Sequence, residues 1–146
     1  MNLLVIEDNL ESAQWLVRLF TGGGYYVLHK THVFDALNVA REQRFDAILL
    51  DPDLPDVDSS QIALLRSRLK DVPLIAVSTQ NDRFGSNKAT ISGFDAFIGE
   101  PWSVPELLDT VEKLVERRSA QSRLNATNQT LSGNPARPKA SPALNA

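Results

Sequence analysis

The chain contains no cysteine, one methionine and only two histidines, His29 and His32. Without thiols there is no disulfide framework, no thiolate catalysis and no Cys-ligated zinc, and two histidines are too few for most imidazole metal sites. Long apolar runs are also missing. None reaches the roughly 18 residues a spanning helix needs. The opening MNLLVIEDNL places acids where a signal peptide carries Lys or Arg before a long apolar stretch. The sequence therefore predicts a cytoplasmic protein with no membrane contact. Its 146 residues are short for two globular domains, and 42% hydrophobic with 23% charged residues is ordinary for a chain that buries a core.

Charge is unevenly placed. Residues 1–118 carry 12 Lys+Arg and all 18 acids, a net of −6, whereas residues 119–146 carry only Arg123, Arg137 and Lys139. The latter stretch is rich in Asn, Ser, Ala, Thr and Pro with almost no apolar period, a composition that predicts a flexible linker or tail. An acidic globular part gives no electrostatic reason for direct contact with nucleic acid. Asn125-Ala126-Thr127 and Asn128-Gln129-Thr130 match glycosylation sequons, which in an Asn/Thr-rich tail behind no secretion signal read as chance.

Within residues 1–118, short apolar runs alternate with segments of helical period. Leu3–Ile6 predicts a strand, and Leu10, Ala13, Leu16, Val17 and Phe20 predict a helix that stops at Gly22-Gly23-Gly24. Tyr25–Leu28 is a second strand, and Val33, Ala36, Leu37 and Ala40 mark a second helix. Phe45–Leu50 is a third strand, and the two prolines of Asp51-Pro52-Asp53-Leu54-Pro55-Asp56 exclude strand or helix interior after it. A helix over about Ser60–Leu69, a strand Leu74–Val77, a polar loop and weak helix over 79–92, a short strand Asp95–Ile98 and a helix from the Ser103 cap to about Arg118 complete the pattern. Five strands and five helices predict an α/β fold, an open doubly wound parallel sheet of flavodoxin-like order 2-1-3-4-5.

In such sheets ligands bind beyond the carboxyl ends of the strands. Those ends carry Glu7 and Asp8, Asp51, Ser78 and Thr79, and Glu100-Pro101. Acids gathered at one edge repel each other, and a hard divalent cation is the usual compensation. Glu7, Asp8, Asp51 and a backbone carbonyl near Asp53 form a candidate Mg2+ set. Singly, Glu7 or Asp8 reads as an ordinary acid at a helix start; paired with Asp51 they favour a site.

Val5-Ile6-Glu7-Asp8-Asn9, Ile48-Leu49-Leu50-Asp51-x-x-Leu54-Pro55, Pro73–Ser78 and Gly93-Phe94-Asp95-Ala96-Phe97-Ile98-x-x-Pro101-Trp102 resemble, in order, the motifs of response-regulator receiver domains. The resemblance covers residues 1 to about 118. It implies that Asp51 receives a phosphoryl group from a histidine kinase through Mg2+ held by Glu7 and Asp8. It further implies that Ser78 is the hydroxyl that moves toward the phosphoryl group and Phe97 the switch aromatic. Read from the pattern alone, Phe97 is a core aromatic at a strand end. A cis bond before Pro101 is also implied.

One position departs sharply. Where the family carries lysine before that proline, this chain has Glu100, so a cation that would pair with Asp51 and phosphate is replaced by a further acid. Lys88 or Arg83 could supply the cation instead, with Glu100 turned to solvent. Thr79 is larger than the Ala or Gly usual there and would narrow access to Asp51, and Ser59 stands where the family usually has glycine.

Three functions are therefore weighed. The first is a conventional phospho-Asp51 receiver, and the second an atypical receiver that acts without phosphorylation as a dimerisation or docking module. The third is an enzyme, since Asp51-Pro52-Asp53 is similar to the paired aspartates of haloacid-dehalogenase-type phosphatases. The displaced acid pair and Glu100 argue against it. The helix from Ser103 resembles the last helix of receivers joined to winged-helix DNA-binding domains, which dimerise through the 79–92 segment, the fifth strand and this helix. That implies a role in transcription control, with DNA contacted only through an effector domain outside this chain. Thr110 stands about where such receivers often place an interface arginine.

Overall fold

Leu3, Leu4, Val5 and Ile6 are all fully buried, and so are Ala47, Ile48, Leu49 and Leu50. Successive strand residues point to opposite faces, so a run with no exposed member requires cover on both sides. A computed structural model, which describes residues 1–78, 93–99 and 103–132, shows this arrangement. Strands β1 (Asn2–Ile6), β2 (Tyr26–Lys30), β3 (Ala47–Leu50), β4 (Leu74–Val77) and β5 (Ala96–Ile98) form one parallel sheet of order β2-β1-β3-β4-β5. The helices among the described residues are α1 (Leu10–Gly22), α2 (Val33–Glu42), α3 (Ser59–Arg68) and α4 (Val104–Ser132). The flavodoxin-like order predicted from sequence is the observed one. The weak helix expected within 79–92 lies outside the described residues.

The strands divide the core by parity. Leu4, Ile6, Ile48, Leu50 and Leu74 meet Val33, Leu37, Ile62 and Leu65 of α2 and α3 on one face. Leu3, Val5, Leu49, Ile75 and Val77 meet Leu16 and Phe20 of α1 and Leu107, Val111 and Val115 of α4 on the other. Helices α1, α3 and α4 each begin on a polar side chain. The Asn9 side chain accepts from Ser12 N at 3.0 Å, the Asp58 carboxylate from Gln61 N at 2.9 Å, and Ser103 Oγ from Glu106 N at 3.2 Å. These caps satisfy donors that the first helical turn leaves open. Ser59 opens α3 behind the Asp58 cap, and every positive φ among the described residues falls on glycine. The turn after Asp51 therefore does not need glycine at position 59.

Gly93 does need to be glycine. Its φ is +110°, and a Cβ there would stand 2.7 Å from Cγ2 of the buried Ile62. Gly93 O accepts from Arg66 Nε at 2.7 Å, and the same guanidinium donates to Val72 O at 3.0 Å and to the Asp95 carboxylate. Arg66 thus clamps the entry to β5 onto the end of α3. Gly93→Ala is expected to cost about 1–3 kcal/mol through the left-handed backbone and the overpacked Ile62. Chemical denaturation would measure it, and an unchanged midpoint would rule the account out.

The last helix differs from the sequence reading. Its expected end near Arg118 is wrong by 14 residues, because α4 runs to Ser132. After Pro105 the first glycine is Gly133 and the first proline Pro135, so nothing in between breaks the helix. The described residues from Ser119 to Leu131 are all exposed. No described helix is long and apolar enough to cross a membrane.

Candidate functional site

Register builds the site. Ile6 and Leu50 are paired across β1 and β3, so the next residue of each strand, Glu7 and Asp51, emerge side by side at the carboxyl edge. The backbone holds them there: Asp51 N donates to Ile6 O and Glu7 N to Lys30 O, both at 3.0 Å. Glu7, Asp8 and Asp51 each present a carboxylate oxygen, and these oxygens lie within 4.8 Å of one another. Ser78, fully buried, comes directly after β4, and its N–H donates to Ile98 O at 2.9 Å.

Glu7 is 1% exposed and Asp51 9%. Burial pushes the Glu7 carboxyl up to about 8, with the neighbouring Asp51 adding to the rise and the Asn9 N–H at 2.9 Å opposing it. Burial likewise raises Asp51, against the Asp53 N–H that donates to its Oδ1 at 2.9 Å. Glu7, the less exposed of the two, therefore keeps its proton at neutral pH when no cation is present. Three hard oxygen donors, two buried and Asp8 exposed at the mouth, fit a divalent cation that would take the place of that proton.

Of the residues expected to act here, Glu7, Asp8, Asp51 and Ser78 come together at neighbouring strand ends. Asp53 flanks them through its N–H bond to Asp51. Phe97 lies one strand further, on β5. It is 38% exposed, with its ring 5.2 Å from that of Phe94, so it is not a plain core aromatic. Thr79, Glu100 and Pro101, with Arg83 and Lys88, lie outside the described residues.

Two supporting contacts escaped the sequence reading. His29 Nε2 lies 2.7 Å from Glu7 O; a carbonyl can only accept, so Nε2 carries the proton. Asp56 accepts from Val33 N at 2.9 Å, tying the loop after Asp51 to the start of α2. Both are long-range bonds to main chain, which leave no periodicity or spacing to read.

Comparison with known proteins agrees with this geometry. The family model for the response regulator receiver domain matches residues 3–112. The polar-differentiation response regulator DivK of Brucella anthropi is 28% identical over 114 residues, 76% of this chain and 93% of that protein. The swarming motility regulation protein RssB of Serratia marcescens is 34% identical over 122 residues, 82% of this chain but 55% of that longer protein. Among solved structures, the receiver domain of a sensor histidine kinase from Pseudomonas aeruginosa, with a magnesium ion in its active site cleft, has a TM-score of 0.69. It shares 24% identity and covers 79% of this chain and 97% of that one. The chain belongs to the response-regulator receiver family. It is accordingly a module of two-component signalling, a system in which receivers interact with histidine kinases and effector domains.

Proposed function

We propose that this chain is an atypical receiver in which phosphorylation of Asp51 is impaired or absent, and that it acts as a regulatory dimerisation or docking module in transcription control. The observation that carries this reading is Glu100 at the position where the family has lysine. A cation there would pair with Asp51 and with the incoming phosphoryl group, whereas a carboxylate adds negative charge to a cluster that already holds three acids. Thr79, larger than the Ala or Gly usual in the family at that position, is the second departure that supports the reading.

Mg2+ is the proposed ion for Glu7, Asp8 and Asp51, with the Asp53 backbone carbonyl as a further ligand. When bound, it would neutralise the cluster. Glu7 and Asp51 supply buried oxygens, and Asp8 supplies an exposed one. Ser78 and Phe97 are the proposed switch pair, joined through the Ser78 N–H to Ile98 O bond between β4 and β5.

For dimerisation the proposed surface is the 79–92 segment, β5 and the first half of α4. Thr110 Oγ1 donates to Glu106 O within its own helix at 2.8 Å, so it offers no charged contact across such an interface. DNA would be reached only through an effector domain outside this chain, and a histidine kinase is the proposed phosphoryl source in the conventional alternative. That alternative, a phospho-Asp51 receiver, is favoured by one observation, the complete Glu7, Asp8 and Asp51 cluster.

Acetyl phosphate with Mg2+ separates the two. Intact mass is expected to show little or no modified chain, and light scattering an association state that acetyl phosphate and beryllofluoride leave unchanged. Rapid stoichiometric modification with a matching shift in size would establish the conventional switch instead.

A further inference from the structure

We propose that a cleft at the amino edge of the sheet, opposite Asp51, binds a small multivalent phosphate-bearing anion. The cleft, of about 450 Å3, opens between the end of α3 and the second half of α4. Its position is set by the strand starts: Pro73 precedes β4 and Asp95 precedes β5, and both line it. One wall is a helical stripe of α4, in which Leu114, Arg117, Arg118, Gln121, Ser122 and Asn125 recur at three- and four-residue spacing. Half of that stripe belongs to the stretch read from sequence as tail, and its continued helix is what gives the cleft its outer side.

The charge of the cleft runs against that of the domain. Four cations, Arg66, Lys70, Arg117 and Arg118, line it with two acids, Asp71 and Asp95. A second cleft of about 230 Å3 shares Lys70, Asp71, Val72 and Arg118 with it and adds Arg44 and Arg68. Together the two take six of the twelve cations of residues 1–118, a stretch whose net charge is −6. The acid cluster lies at the other end of strands only four residues long in β3 and β4. Net charge therefore conceals a strongly polar molecule.

The four cations are not equivalent. Arg66 is committed to Gly93 O, Val72 O and Asp95, and Arg118 donates to Phe45 O at 3.0 Å and lies 3.8 Å from Asp46. Among the described residues Lys70 and Arg117 have no hydrogen-bond or ion-pair partner, and both are exposed at the rim. An ammonium, a guanidinium, the Ser122 hydroxyl and the Asn125 amide line the cleft with donors, while Gln121 Nε2 already donates to Asn125 Oδ1 at 3.0 Å. Phosphate, with several acceptor oxygens per group and charge to match, satisfies more of these donors than a single carboxylate does. The volume exceeds that of one small ion and suits a diphosphate or a larger phosphate ester.

Titration of the full chain with inorganic pyrophosphate in EDTA, followed by calorimetry, tests this without the metal site taking part. One saturable site is expected. Lys70→Ala and Arg117→Ala should each weaken it by about tenfold, the loss of one charge-assisted bond. Asp71→Asn, which removes an opposing charge, should tighten it, and Asp51→Asn should leave it unchanged. No saturable binding at millimolar pyrophosphate, or binding that survives the Lys70/Arg117 double substitution, overturns the site. Binding abolished by Asp51→Asn places the anion at the other edge and also overturns it. Equal affinity for citrate overturns the assignment to phosphate.

Discussion

Replacement of Glu100 by lysine is expected to raise phosphoryl acceptance at Asp51 by at least an order of magnitude. Two unit charges about 4 Å apart interact by about 4 kcal/mol at an effective dielectric near 20. A lysine at position 100 that reached that range in place of the glutamate would change the balance by several kcal/mol before screening and relaxation reduce it. Even about 1.4 kcal/mol of what remains is a tenfold change. A time course with acetyl phosphate and Mg2+, read by intact mass, compares Glu100→Lys with the native chain. Recovery is expected to be partial, because the variant keeps Thr79 where the family usually has a smaller residue. A variant that stays unmodified under conditions that fully modify an ordinary receiver would shift the block to Thr79 or to the loop around Pro52.

The acid cluster should make the stability of the domain depend on metal and pH together. Glu7 is raised by burial to about 8 when no cation is present, so the folded chain holds a proton there that the unfolded chain releases near 4.5. Stability from this proton is fully present below the unfolded value and is lost as pH rises through the folded one. Metal-free domain should therefore weaken between about pH 5 and pH 8, by an amount on the order of a few kcal/mol. Mg2+ held by these carboxylates would displace the proton, so its stabilising effect should grow over the same range. Glu7→Gln cannot ionise: it should flatten the metal-free pH profile, raise the melting temperature at pH 8 by several degrees, and remove most of the gain from Mg2+. Thermal melts with EDTA or millimolar Mg2+ at pH 6 and pH 8 measure all three effects. A Glu7→Gln melt that still rises with Mg2+ as the native one does would show that the ion binds elsewhere. If Glu100 also faces the cluster, Glu100→Lys should weaken Mg2+ binding while improving phosphoryl acceptance, because one substitution then removes a fourth carboxylate and adds a competing cation.

The sheet was legible in the sequence because β1, β3 and β4 are buried on both faces and so appear as unbroken apolar runs. β2 was less so. It lies at the edge of the sheet, none of its five residues is fully buried, and the strand starts at Tyr26, one residue later than the pattern predicts. Tyr25 belongs to the core but precedes the strand, where it packs edge-on against Phe20 at 5.5 Å. The acids of the site were legible from strand ends alone, since parallel register sets the residue after Ile6 beside the residue after Leu50. The second half of α4 was not. Periodicity reports burial, and a helix exposed along its length has none to report; the absence of glycine and proline between Pro105 and Gly133 was the available signal. Its one patterned stripe, from Leu114 to Asn125, turns mostly polar after Leu114 and faces a cleft rather than the core.

The length of α4 also has a mechanical meaning. Its 29 residues span ~43 Å, while its last buried residue among those described is Val115. From there to Ser132 is ~25 Å of helix. The inner half is seated on the sheet through Leu107, Val111 and Val115, and the outer half projects like the pointer of a balance. At 1.5 Å of rise per residue, a tilt of about 10° at Val115 would swing Ser132 by ~4 Å. Adjustments of a fraction of that size beside β5, near the root of the pointer, would arrive enlarged at whatever the chain presents beyond its tip.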